Sequence, residues 1–162
     1  MGRKHNYAAT IKWTGNKGEG TYNYRSYGRS HTIRVVNKPD IQCSSDPVFH
    51  GDKTKHNPEE LFVAAISSCH MLWYLHLCAD SGVVVVDYSD DATGTMLELP
   101  DGSGRFTEVT LNPAVIVREK SMIDKANDLH KKANEMCFLA NSCNFEIHHK
   151  PICKVSESGA NN

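Results

Sequence analysis

One stretch limits the possible folds more than any other. From Leu61 to Cys78 the chain reads LFVAAISSCHMLWYLHLC, apolar on nearly every helical face. Its start is well marked: Asn57 suits an N-cap, Pro58 the first helical position, and Glu60 completes a capping-box spacing. Gly82 supplies a C-terminal stop. A helix with no wet face has to be covered on every side, so it belongs at the centre of the protein or at a subunit interface.

A second helix is predicted from about Ser121 to about Asn141, with Asp124 three residues after Ser121 at its start. Ile123, Ala126, Leu129, Ala133, Met136, Cys137 and Ala140 form one apolar stripe along it. Strands are read around residues 9–13, 21–26, 31–36, 83–88, 93–99, 106–117 and 145–155. The glycine-rich segment 14–20 and the PDGSG segment 100–104 form turns. The 106–117 run breaks near Asn112-Pro113, and Pro151 puts the last strand at an edge or bulge. With the interrupted runs joined, the order is βββ-α-ββ-α-β, an α+β domain over residues 1–155 with a small polar tail at 156–162 expected to be disordered.

Bulk properties exclude several classes of function. The 162 residues suit one domain, and a net charge of −1 from 18 basic and 19 acidic residues leaves no footprint for nucleic acid. No uninterrupted apolar run reaches about 18 residues, and the MGRKHNYAAT start lacks the apolar core of a signal peptide. A cytoplasmic address without membrane contact is the default expectation.

Six cysteines, at 43, 69, 78, 137, 143 and 153, are many for such a chain, and no C-x-x-C occurs among them. Cys69 sits mid-helix, too far from the N-terminus to be activated by the helix dipole, so a reactive Cys69 needs another cationic or hydrogen-bonding neighbour. Cys78, nine residues on, points to the opposite face and reads as core. Cys137 lies on the stripe expected to meet the first helix. Facing thiols can join if their Cα atoms come within about 7 Å, though two cysteines can also meet by chance burial. Cys43 and Cys143 read as oxidisable bystanders near loops or helix ends. His148 and His149, with Cys153 nearby, are a poor metal set because adjacent strand residues face opposite ways. Trp73, Tyr74 and Phe138 are expected to line a core or an apolar pocket.

NPEELFVAAISSCHMLWYL resembles the signature of the OsmC/Ohr family of organic hydroperoxide reductases, with Cys69 ten residues after Glu59 at the place of the peroxidatic cysteine. HKKANEMCFLANS resembles the family's second helix, with Cys137 at the place of the resolving cysteine. The resemblance implies an antiparallel sheet packed with two central helices in an intertwined homodimer. It also implies reduction of organic hydroperoxides by Cys69 and Cys137, without metal or bound cofactor, in a stress response. An external dithiol, such as a dihydrolipoyl protein, would restore the thiols.

The family also places an arginine, paired with the glutamate, near the peroxidatic cysteine. Here the glycine-rich turn offers Lys17, and the stretch before Asn57 offers His50 and lysines. Arg25 and Arg29 are the nearest arginines, with Arg25 the better choice. That altered placement favours a second reading, a redox-sensing or ligand-binding protein with little turnover.

Overall fold

The computed structural model describes residues 2–156, in which contacts divide into two compact units, residues up to Leu61 and residues from Phe62. The N-terminal unit holds an antiparallel sheet of β1 (Thr10–Trp13), β2 (His31–Arg34) and β3 (Ile41–Cys43), in that order. Residues 21–26, predicted as a strand, form turns instead. Asn23 Oδ1 accepts from the Arg25 amide, and the Ser26 hydroxyl donates to the carbonyls of Gly20 and Asn23. These local bonds outcompete a ladder. The third strand is β3, and it buries Cys43 completely, so Cys43 is a core residue rather than an oxidisable loop thiol.

Helix α1 spans Pro58–Asp80. Its capping box is reciprocal: the Glu60 amide donates to Asn57 Oδ1 at 2.8 Å, and the Asn57 amide donates to Glu60 Oε2 at 3.2 Å. Such a cap is worth about 1 kcal/mol. At the far end Gly82 takes φ +74°, and the Val83 amide reaches back to the Cys78 carbonyl at 2.9 Å. That closure is what the glycine permits.

The C-terminal unit, which contains α1 from Phe62 on, has two mixed sheets. β4 (Val85–Asp90), β7 (Pro113–Val117) and β9 (Ile152–Val155) form one, while β5 (Thr93–Glu98), β6 (Gly104–Leu111) and β8 (Glu146–His149) form the other. β4 pairs with β7 and β5 with β6 antiparallel, but β8 joins β6 and β9 joins β7 in parallel, a departure from the antiparallel expectation. Asp90 secures the break between β6 and β7. Its carboxylate accepts from the Asn112 amide at 2.6 Å and from the Ser67 hydroxyl of α1 at 2.5 Å.

Helix α2 runs only from Ile123 to Met136. It starts without a side-chain cap, so Ser121 and Asp124 form no capping box, and it ends where Cys137 turns to extended backbone at φ −68°, ψ 112°. The apolar residues after that point are carried by a short 3₁₀ turn, Ala140–Ser142. At the opposite end of the strand order, Ser156 is tied to β7, its amide donating to the Val117 carbonyl at 2.9 Å. The rest of the tail expected to be disordered lies outside the described residues.

α1 buries a stripe spaced four residues apart: Ile66, His70, Tyr74 and Cys78. Ile66 meets Val109 and Leu111 of β6, while Tyr74 and Cys78 join Val115, Val117, Ala126 and Ala133. Gly94 of β5 lets the helix approach, since a Cβ there would lie 2.7 Å from Val63 Cγ2. One face of α1 is left open within the chain, where Leu72 is 63% exposed. By length and composition alone α1 could cross a membrane, but its buried stripe packs on protein and carries a histidine.

That histidine belongs to a buried aromatic stack. His70 Nε2 lies 3.0 Å from His130 Nδ1 on α2, the His149 ring of β8 is 4.6 Å from His70, and Tyr74 stacks on His130 at 3.9 Å. Burial first, then the neighbouring His149 and His130, pushes His70 down to about 3. Burial and His149 push His130 down to about 4. Burial lowers His149 as well, against an opposing pull from Asp90.

Each histidine is therefore neutral in the fold but takes a proton near pH 6.5 once unfolded. Their stability contribution is complete above about pH 6.5 and drains away as pH falls toward 4 and 3. At pH 5 the loss is about 2 kcal/mol for each of His70 and His130. Urea unfolding at pH 7.5 and pH 5 should show a drop of that order. Equal stability at the two values would mean that the histidines are not buried neutral.

Candidate active site

Cys69 and Cys137 meet although their elements are far apart in sequence. Cys69 is half-buried in the middle of α1, one position from the buried stripe, so it looks sideways rather than into the core. Cys137 is the first residue beyond α2 and is 1% exposed. All six cysteines are free thiols. Burial first, then a hydrogen bond that its thiol donates to the neighbouring Cys69 sulfur, pushes Cys137 up to about 11. The Ala140 amide also points at Cys137 Sγ from 3.4 Å. Because α2 stops one residue early, Cys137 is presented from an extended corner whose next turn supplies that amide.

The two thiols differ in access. Cys69 lines an open cavity of about 300 Å³ with Leu72, Trp73, His76 and Phe138, and Cys137 does not. Trp73 and Phe138 meet edge to face at 5.5 Å, forming an apolar wall. Tyr74, which the sequence grouped with them, turns inward and is fully buried. The site therefore offers an accessible thiol in an apolar recess backed by a second thiol that solvent does not reach. An electrophile entering the recess meets Cys69 first.

Among the other sequence candidates, Cys78 is buried in the core, where desolvation raises its pKa. His148 and His149 do face opposite ways, His148 toward Glu108 and Glu146 and His149 into the aromatic stack. Among the described residues no group of three or more potential ligands could hold a metal ion.

Within the N-terminal unit, Glu59 is half-buried in the first turn of α1. Arg29 is engaged locally: Nη1 donates to the Tyr27 carbonyl at 2.5 Å, Nη2 donates to the Tyr24 carbonyl at 2.6 Å, and its guanidinium lies 4.3 and 4.2 Å from the Tyr24 and Tyr27 ring centres. The Arg25 guanidinium has no hydrogen bond or ion pair among the described residues. Lys17 is exposed, and His50, in a left-handed conformation at φ 61°, packs against Tyr24 at 5.2 Å. Sequence reasoning missed His76, which lines the cavity and pairs with Asp80 at 3.5 Å, and missed the His70–His130 contact. The i, i+4 spacing of His76 and Asp80 was the available signal for the first.

A family model described as OsmC-like protein matches residues 50–151. Among solved structures, an OsmC-like protein of unknown function from Vibrio cholerae is 30% identical, with a TM-score of 0.82 over 92% of this chain and 100% of that one. An organic hydroperoxide resistance protein from Elizabethkingia anophelis aligns at 19% identity and TM-score 0.67, covering 96% and 99%. An organic hydroperoxide resistance protein from Legionella pneumophila aligns at 19% and 0.65, covering 94% and 99%. The last two likenesses speak for the fold alone. No curated protein matches the chain.

Proposed function

Since the chain belongs to the OsmC-like family, we propose that it is a thiol-dependent peroxidase that reduces organic hydroperoxides to alcohols. The observation that carries the reading is the unequal pair: Cys69 opens on an apolar cavity, and Cys137 lies buried within reach of its sulfur. The Cys69 thiolate attacks one oxygen of the peroxide, the O–O bond breaks, and the alkoxide leaves and takes up a proton to become the alcohol. Cys69 is left as a sulfenic acid. The Cys137 thiolate then attacks the Cys69 sulfur, the S–O bond breaks, and hydroxide departs as water once protonated. An external dithiol reduces the disulfide by exchange, and a dihydrolipoyl protein fits that role by family resemblance.

A nearby cation favours the thiolate form of a nucleophilic cysteine. We assign that work to an arginine of residues 22–31 oriented by Glu59. Arg25 is the better choice, because the Arg29 guanidinium is already held by two carbonyls and two rings. Trp73, Leu72 and Phe138 favour a bulky organic peroxide over hydrogen peroxide. The second reading, a redox sensor with little turnover, draws on that engagement of Arg29: if Arg25 does not serve the thiol, attack is slow.

Turnover of cumene hydroperoxide with a dithiol separates the two. Cys69→Ser should abolish it. Cys137→Ser should consume one equivalent of peroxide and stop, and Arg25→Met should slow the first step by about tenfold or more, the equivalent of one pKa unit. Full multi-turnover activity in Cys69→Ser would end the proposal.

The same reading makes the protein an intertwined homodimer acting in the cytoplasm. Leu72 and Phe138, 63% and 66% exposed, and the open side of α1 are the surfaces a partner would cover. Sedimentation at micromolar concentration should give twice the chain mass, and a stable monomer there would contradict it.

A further inference from the structure

The buried pair that links the two helices has no part in the chemistry above, yet it stands beside both cysteines in sequence. His70 follows Cys69 directly, and His130 lies seven residues, two helical turns, before Cys137. Among the described residues, the His70 Nε2–His130 Nδ1 contact at 3.0 Å is the one hydrogen bond between α1 and α2. The two side chains are 1% and 3% exposed. We propose that His70 and His130 are positioning residues that fix α1 against α2 so that Cys137 can reach the Cys69 sulfur, and so control disulfide formation rather than peroxide attack.

The assignment rests on the peroxidase reading for its catalytic meaning and on geometry for its mechanism. A hydrogen bond between two imidazoles needs one ring to donate and the other to accept, and because burial keeps both rings neutral their tautomers are fixed together. The pair is clamped on either side, with Tyr74 stacked on His130 at 12° and the His149 ring tilted against His70. The attacking step, by contrast, takes place in the cavity a third of a turn round α1, where neither histidine lies.

Acid should release the clamp, since protonating both rings would bring two donors face to face. Against the pair lie His149 of β8 and Tyr74 of α1; beyond them, Tyr88 of β4 packs on Tyr74, and Asp90 of β4 and His148 act on His149. Asp90 is the one carboxylate among them. It is already engaged by Ser67 and Asn112, which leaves little to compensate a charge on the pair.

Rapid-quench measurements on His130→Leu and His130→Gln test this. With one equivalent of cumene hydroperoxide, trapping of the Cys69 sulfenic acid should proceed within about twofold of wild type in both. Disulfide formation should slow about tenfold in His130→Leu, as expected for loss of one hydrogen bond worth about 1.4 kcal/mol. His130→Gln, which can still accept from His70, should recover most of that. Equilibration of the disulfide against glutathione needs no peroxide, and there His130→Leu should shift the constant about tenfold toward the dithiol. If His130→Leu fails to fold, His130→Asn, too short to reach His70, takes its place. Equal slowing of both steps, or an unchanged glutathione equilibrium, would overturn the proposal. Absence of any sulfenic acid in the wild type would count against the peroxidase reading while the glutathione equilibrium still tests the clamp.

Discussion

Two polar contacts interrupt the apolar packing on α1: a histidine pair with α2 in the core, and a cysteine pair with the first residue beyond α2. A buried imidazole pair costs desolvation and returns a single hydrogen bond, so apolar residues of the same volume would serve stability as well or better. What the pair supplies is register. The stripe of α1 that it occupies, spaced at four residues, fixes which face of an almost uniformly apolar helix turns inward, and so which face Cys69 presents sideways. The sheets then fit around that choice, with Ile66 on β6 and Tyr74 against the Val115–Val117 side of β7.

The local parts of this were legible from sequence. Asn57, Glu60 and Gly82 act through bonds within a few residues, and each does what its residue type foretells. So does the break before Pro113, although the side chain that secures it, Asp90, is 22 positions away. Where the sequence misled, a non-local term decided. Residues 21–26 alternate like a strand, but asparagine and serine side chains capture the backbone first. The short β3 exists only because β2 offers it a partner. The parallel seating of β8 and β9 leaves no periodic trace, since pairing direction is set by the path of the chain.

The site was half legible for the same reason. Cys69 and Cys137 could be paired by motif, and the structure does bring them together, yet the helix expected to carry Cys137 ends one residue before it. His130 sits at the spacing of the α2 stripe, between Ala126 and Ala133, and was passed over because histidine is polar. On α1 no periodicity could have marked His70, because every face is apolar. A uniform pattern shows that burial is needed but not on which side.

The central claim is that peroxide oxidises one thiol and a specific second thiol captures the product. Peptide mapping of the protein after one equivalent of an organic hydroperoxide tests it most directly. A single new cross-link should join the Cys69 and Cys137 peptides, with Cys43, Cys78, Cys143 and Cys153 still reduced. A cross-link through Cys78 or Cys153, or Cys69 recovered unoxidised while peroxide is consumed, would contradict it.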